Sequence, residues 1–508
     1  MGASTMKPVA DDQESVKPAS THQLAQRFSI LSTLALGFSM TNSWLGYSAT
    51  FITPLDMGGS PMVFFGLIVA SIACCIITAG LAELASAFPS SGGQYHFAYM
   101  VASPKYRSLV AFLIGWLSIA AWCLTSASTA IVCAQMAGSL ASIYHPSYTA
   151  EAWHTYLIYL LIMILATSIV CFTPNAIPRG EIVLLWCSVA GFVASFVTVL
   201  ATQRHPQSAK SVFTEYKNES GWNDGTSFVV GLGTCMYAYL AIDGATHIAE
   251  EVPCPAKNVP KAMGMTMLIG MFTVIPWTIA FLFTLTDIDA IISSAIPIHT
   301  VYDQATNSET AATILTVWIL FIYSGALVSC IVTTGRLTYA FSRDGGLPFS
   351  SFFSRVDSRN QIPINATLGC FGFVSLYGLI YIGSTTAFNS FISMSIMSLN
   401  ITYVAPQAIA VWRGRDSVLP ERPFRLGRYV GNFCNWFSTL WVAFISVMFC
   451  FPTTNPTTVG SMNYVSVVLV GISAAIFALW CGGKRKTFVG PETIIEGTAP
   501  GYTRESEE

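Results

Sequence analysis

SFVVGLGTCMYAYLAIDGATHIAEEVPCPAKNVPKAM, residues Ser227 to Met263, opens as an apolar helix long enough to enter a bilayer and then breaks its own pattern. Asp243, Gly244 and His247 fall in its middle, and Glu250 and Glu251 follow one turn later. A charged group at bilayer depth costs roughly 2.5–3.5 kcal/mol on insertion scales, so it persists where it faces a cavity, a partner or an ion path. The glycine beside Asp243 weakens the helix locally. A helix interrupted at mid-membrane frees backbone carbonyls and amides to bind a small solute.

The rest of the chain agrees with a life in lipid. Its 508 residues are 53% hydrophobic and 10% charged, with a mean hydropathy of +0.58, far from the composition of a water-soluble domain. With 24 Lys+Arg against 26 Asp+Glu, no electrostatic bias points to nucleic acid. Thirteen cysteines are scattered without a C-x-x-C pair, several inside apolar runs (Cys74, Cys75, Cys123, Cys133, Cys330), and read as buried thiols rather than disulfides or metal ligands. Residues 1–27 are polar and the first apolar run is too long for a signal-peptide core, so a cytosolic amino terminus without a cleaved presequence is expected.

Apolar runs of about 20 residues, the length of a membrane span, begin near Phe28, Met62, Leu109, Trp153 and Ile182. A second set begins near Ser227, Met263, Ala311, Ile364 and Ala387, and a last pair near Phe433 and Asn463. The count is twelve, arranged as 5+5+2. Lysine and arginine collect in cytosolic loops, which tests the count. With the amino terminus inside, only Arg204, Lys210 and Lys217 of the 24 basic residues fall outside, all in one loop. That loop also carries Asn218-Glu219-Ser220, a glycosylation sequon clear of the membrane. The expected organisation is therefore a cytosolic tail (1–27), an all-α twelve-helix domain (28–482) and a second cytosolic tail (483–508). Within the domain, repeat one covers about 28–201, repeat two about 227–411, and spans 11 and 12 about 433–482.

Each half opens on an interrupted helix. In span 1, FSILSTLALGFSMTNSWLGYSATF, the polar knot Ser39, Thr41, Asn42 and Ser43 lies between Gly37 and Gly46; in span 6 the break runs from Ala241 to Gly244. Because five is odd, the two spans run in opposite directions. That is the pattern of an inverted-topology repeat whose two broken helices meet at the midplane.

Several segments then resemble the amino acid–polyamine–organocation permeases, within them the fungal amino acid/choline transporter group. They are Asn42-Ser43-Trp44, AELASAFPSSGGQYHFAYMVASP at 82–104, Gly115-Trp116, FTEYKNESGW at 213–222, His247 through Pro260, and TGRLTYAFSRDGGLP at 334–348. Together they reach from about residue 28 to 480. The resemblance implies a fold like that of the bacterial leucine transporter, alternating access in the plasma membrane or an internal membrane such as the vacuole, and a small amine-bearing substrate: an amino acid, GABA, choline or a polyamine. Two departures stand out. Relatives usually carry glycine where this chain has Ala241, and many amino acid permeases have a glycine-rich span 1 break where this one reads Ser39-Met40-Thr41-Asn42-Ser43.

The candidate substrate site joins the amide end of the second half of span 1 (Thr41, Asn42, Ser43, Trp44), whose helix dipole favours an anionic group, to the freed carbonyls of span 6 around Tyr239 to Ile242, Ala241 among them. Tyr237, Tyr239, Trp44 and Trp122 are candidates for cation–π contact with an ammonium. Asp243 either meets the amine directly or holds the broken helix together, and Thr41, Asn42 and Ser43 equally suit hydrogen bonds between packed helices. His247 follows Asp243 at i, i+4 and titrates near physiological pH, which suits a proton carrier; a structural histidine fits the same position. Glu83, Glu250, Glu251, Arg336, Arg343 and Asp344 sit at cytosolic helix ends, where ion pairs among them would close an inner gate. No cofactor is called for. Proton coupling is what the fungal resemblance implies, and Thr333-Thr334 leaves sodium open. The expected partners are a small-molecule amine and the bilayer, with no nucleic acid. No G-x-x-x-x-G-K-[ST] occurs, which excludes a nucleotide-driven pump, and seven dispersed histidines give no enzyme constellation. A nutrient sensor or a transporter devoted to a specialised metabolite would use the same scaffold.

Overall fold

The computed structural model describes residues 24–145, 147–204, 206–458, 462–488 and 490–491. Most of both tails, with His22, His205 and Arg504, lies outside these residues. Among the described residues every regular element is helical. Eleven helices are long and apolar enough to cross a membrane. Span 1 is the twelfth: it is split into Ile30–Thr41 and Ser43–Thr50, so neither half alone reaches spanning length.

Local sequence explains where the helices start and stop. Ser29 caps span 1 in a reciprocal box with Ser32, satisfying amides of the first turn that have no partner within the helix. Asn42, at φ +24°, ends the first half, and the helix resumes one residue later. Span 2 runs Ile52–Ala87 and turns at Gly59, whose φ of +68° an L side chain rarely adopts, just before Pro61 restarts the helix. Span 3 is Arg107–Tyr144, span 4 Ala152–Phe172, span 5 Ile177–Thr202, span 7 Pro255–Leu282 and span 8 Glu309–Arg343. Spans 9 to 12 are Ile364–Gly383, Thr385–Trp412, Arg428–Met448 and Val465–Leu479. Span 6 is a helix over Asp224–Cys235, a 3₁₀ turn to Tyr239, an irregular turn, and a second 3₁₀ stretch over Gly244–Glu251. The loops hold elements the apolar pattern did not mark: a short helix Gln94–Val101 between spans 2 and 3, and Ile288–Ser293 with Pro297–Thr306 between spans 7 and 8.

Packing repeats with an offset of five spans. Span 3 packs on span 8 and span 2 on span 7, each helix against its own counterpart. Span 1 touches span 7 where span 2 touches span 6, and the contact of spans 3 and 4 is matched by that of spans 8 and 9. The first half of span 1 lies on the second half of span 6 and the second half of span 1 on the first half of span 6, so the broken helices are antiparallel. Large apolar side chains such as Leu165, Trp186, Phe272, Phe321 and Leu376 stay exposed on the outside of the bundle, as a lipid-facing surface requires. Buried hydroxyls inside bond back to their own helices, Thr125 to the Ala121 carbonyl and Thr129 to that of Thr125.

Candidate functional site

A cavity of about 30 Å³ lies at the junction of the two breaks. Span 1 contributes Ser39 through Asn42 with Leu45 and Gly46, span 6 contributes Tyr237, Leu240 and Ala241, span 3 Thr125 and Thr129, and span 8 Tyr323 and Ala326. Gly46 lies against the Thr41 and Tyr237 carbonyls, where an added Cβ would sit in ordinary contact at 3.7 Å. The amide end of Ser43–Thr50 receives no side-chain cap from Asn42, which leaves its first N–H groups available. Ser39 Oγ, Thr41 Oγ1, Asn42 Nδ2 and Ser43 Oγ are all buried and hydrogen-bond to nothing among the described residues. Asn42 Oδ1 accepts from Ser188 of span 5 at 3.1 Å, and Ser188 accepts from Trp44 Nε1 at 3.1 Å. Span 5 thereby holds the break open. Ala241 sits at φ +65°, the left-handed region, so the alanine occupies a conformation that favours glycine.

Four of the expected substrate contacts, Thr41, Asn42, Tyr237 and Ala241, line this cavity. Ser43 faces span 7, where a Cβ on Gly270 would lie 2.3 Å from its Oγ. Trp44 is turned onto Trp277, with ring centroids 6.0 Å apart, and onto Ser188. Tyr239 points to Ser71, hydroxyl to hydroxyl at 2.6 Å. Trp122 donates its indole N–H to Asp243 at 3.2 Å. These side chains brace the site from behind. The aromatic rings at the cavity are Tyr237 and Tyr323, and Tyr323 and the Thr125/Thr129 pair were not anticipated; the i, i+4 threonines in CLTSASTA were the signal for the latter.

Asp243 is fully buried and saturated. Its Oδ2 accepts from Gln94 Nε2 at 2.7 Å, His247 Nε2 at 3.0 Å and Trp122 Nε1, while Oδ1 accepts from Tyr403 of span 10 at 2.6 Å. Of the two expected roles the geometry supports the structural one, with side chains rather than backbone amides as the donors. The knot ties span 6 to span 3, span 10 and the Gln94–Val101 helix. His247 belongs to it, its Nδ1 3.1 Å from the Ser91 carbonyl. Gly93, at φ +59°, is required there, since a Cβ would fall 2.7 Å from His247 Cε1. On the same short helix, burial and then the Arg343 guanidinium push His96 down to about 4, so it stays neutral at physiological pH.

The end of the bundle that gathers the basic residues is closed by ion pairs. Glu250 takes a two-pronged bond from Arg343, 3.1 Å on each prong, with the guanidinium over the Tyr339 ring. Glu251 is fully buried against Arg336 at 2.7 Å, and its carbonyl accepts from the Arg27 and Phe28 amides at 3.2 Å, pinning the start of span 1. Asp344 accepts from Tyr95 Oη at 2.8 Å. Glu250, Glu251, Arg336 and Arg343 are thus ion-paired with one another at this end. Glu83 departs from that picture: it pairs with Arg415 and Arg422 in the loop between spans 10 and 11, not with span 8. Lys105 lies over the Tyr106 ring. Lys484 donates to the Gly345 and Leu347 carbonyls, and Phe488 stacks among Phe112, Phe341 and Trp480, which seals this end from below. The Asn218 sequon is folded into a turn, its Nδ2 donating to the Trp222 carbonyl at 2.7 Å.

A membrane bundle with two antiparallel broken helices enclosing a small polar cavity, and ion pairs at one end, is the architecture of a solute transporter and not of an enzyme. The chain belongs to the amino acid permease family, whose model matches residues 28–473. It is 34% identical to a choline transporter of Saccharomyces cerevisiae, an alignment covering 92% of this chain and 83% of that one. It is 30% identical to a swainsonine transporter of Arthroderma benhamiae, over 90% and 91% of the two chains. An amino-acid permease of Arabidopsis thaliana is 27% identical over 93% and 94%.

Proposed function

We propose that the chain is a secondary active transporter that moves a small amine-bearing solute across a membrane by alternating access, driven by protons. The observation that carries this reading is the cavity between the breaks, where the uncapped amides after Asn42 face the irregular turn of span 6 and three buried polar atoms of its lining, Ser39 Oγ, Thr41 Oγ1 and Asn42 Nδ2, have no partner among the described residues. An anionic group fits the amide end and an ammonium fits the carbonyls and the faces of Tyr237 and Tyr323. The cavity holds about one water volume, so spans 1 and 6 must part to admit any substrate. No carboxylate lines it, since Asp243 is spent on the knot. A substrate with a single positive charge, choline or a zwitterion such as GABA, is therefore favoured over a polyamine, whose second ammonium would have no counter-charge. The charge distribution supports cytosolic termini and an Asn218 loop on the far side.

Uptake of labelled choline, GABA, a basic amino acid and a polyamine by cells lacking their own permeases tests this. Saturable accumulation of choline or GABA is expected. Uptake of none of the four by a correctly localised protein would remove the reading. The similarity to the swainsonine transporter favours a second reading, a transporter serving a specialised alkaloid pathway; competition by a bicyclic tertiary amine against choline uptake would support it.

A further inference from the structure

Glu181 is a carboxyl that neither the cavity nor the gate explains. It is 1% exposed, in the second turn of span 5, where spans 1, 5 and 8 meet. Oε1 accepts from Ser329 of span 8 at 2.7 Å; Oε2 is buried and has no partner among the described residues. The Ser39 hydroxyl of span 1 neighbours it, is itself buried without a partner, and lines the cavity. Glu181 and Ser188 are seven residues apart on one helix face, so the face that holds Asn42 also presents this carboxyl to the preceding turn of span 1.

We propose that Glu181 is the proton-binding site that couples transport to the break in span 1. This rests on the transporter reading. The surroundings supply no competing charge. Span 1 has no ionisable group between Ile30 and Thr41, and span 8 presents only the Cys330 thiol. Arg336, two turns along span 8, is committed to Glu251. Arg179 on span 5 is exposed, and among the described residues neither Lys257 and Lys261 of span 7 nor His299 and Asp303 of the Pro297–Thr306 helix makes a hydrogen bond or ion pair with the carboxyl. A carboxylate taken out of water without a cation is strongly disfavoured. With a proton on Oε2 it is neutral and stays buried where spans 1, 5 and 8 meet, the Ser39 hydroxyl beside it as an unused acceptor; without one, it must be reached by water or a cation. Proton release therefore favours the arrangement in which span 1 leaves span 5, and proton entry by way of the Ser39 hydroxyl from the cavity restores the closed packing. The proton comes from water on one side and returns to water on the other, so no further reactant is needed.

The test uses the purified full chain in proteoliposomes with a trapped pH dye and labelled choline and GABA. An acid-outside gradient should drive accumulation by the wild type, with acidification of the lumen. Glu181→Gln should cut gradient-driven accumulation about tenfold or more and abolish the acidification while keeping one-for-one exchange of labelled for unlabelled substrate. Ser329→Ala, which removes only a neutral hydroxyl, should fold and shift the pH midpoint of uptake. Full gradient-driven accumulation by Glu181→Gln, or an unmoved midpoint in Ser329→Ala, would overturn the proposal. So would wild-type accumulation driven by sodium alone and lost in Glu181→Gln, which would make the bound cation a metal ion. A wild type that moves no substrate under any gradient would remove the transporter reading and this proposal with it.

Discussion

At the scale of single residues, two backbone positions and one histidine make sharp expectations. Asn42 serves twice, tolerating φ +24° and offering Nδ2 to the cavity. Asn42→Ala should raise KM for a zwitterion by roughly tenfold, the loss of one charge-assisted hydrogen bond of about 1.5–3 kcal/mol. Asn42→Gly keeps the backbone and separates the side chain's share from strain. Choline, with no carboxylate, should tolerate both changes better and lose affinity in Tyr237→Phe less than in Tyr323→Ala, because the ring and not the hydroxyl carries a cation–π contact. Equal KM effects of Asn42→Ala on choline and GABA would refute the division of the site. Ala241→Gly should raise thermal stability in detergent by about 1 kcal/mol, since alanine is held at φ +65°. An unchanged or lower melting temperature would mean that the turn draws no strain from its Cβ. His96, pushed down to about 4 by burial and Arg343, binds a proton more readily unfolded than folded. It therefore contributes stability above about pH 6.5 that is lost as pH falls toward 4. His96→Gln should flatten the acid limb of the melting profile over that window, and a profile superimposable on the wild type would refute the assignment.

At the scale of elements, the two closing ion pairs are predicted to differ. Arg336 and Glu251 are 2% and 1% exposed, so Glu251→Gln leaves a buried guanidinium uncompensated, a loss of about 3–5 kcal/mol that should show first as reduced folded protein. Arg343 and Glu250 are 37% and 27% exposed, and a pair in that setting contributes about 1 kcal/mol or less. Glu250→Gln should therefore fold normally and change turnover instead, and the swap Glu250→Arg with Arg343→Glu should restore it. Wild-type turnover in Glu250→Gln would remove this pair from the gate. The same elements show what was legible in the sequence. Both breaks could be read because glycine and polar residues interrupt apolar runs, and the acidic and basic residues at one end of the bundle could be grouped, though not paired one to one, because each lies at a helix end. Which way a broken helix is turned could not be read. Trp44 and Tyr239 carry the right chemistry for an ammonium, but packing against Trp277 and Ser71 rotates them away from the cavity. Glu83 finds Arg415 across 332 residues of chain, a pairing set by how span 2 meets the loop after span 10. The polar cluster around Asp243 needed Gln94 and Tyr403, from two other elements, before its structural role was visible.

At the scale of the whole molecule, the number of spans and the direction of the chain are one problem. The fivefold offset in packing makes the two broken helices antiparallel, and that in turn needs an odd number of crossings in each repeat. Span 1 satisfies this although its halves are 12 and 8 residues long, too short to qualify separately as membrane spans. If it did not cross, every loop after it would change sides, and Arg204, Lys210 and Lys217 would be the only basic residues outside the amino-terminal tail itself to share its side. The expected outcome is that tags at both ends are read only in permeabilised cells, while a cysteine introduced at exposed Glu219 is labelled by an impermeant maleimide on intact ones. Three bonds order the turn beside it, Asn218 Nδ2 to Trp222 and to Asp224, and Ser220 Oγ to Asn218 Oδ1 at 2.6 Å. A glycan on Asn218 would use one of the two amide hydrogens and leave the carbonyl bonds to Ser220 intact. Loss of a mobility shift in Asn218→Gln, with transport preserved, would mark the site as glycosylated and outside. An amino-terminal tag accessible without permeabilisation would refute the twelve-span arrangement, because it would leave the Lys- and Arg-rich loops and the gate they form on the wrong side of the membrane.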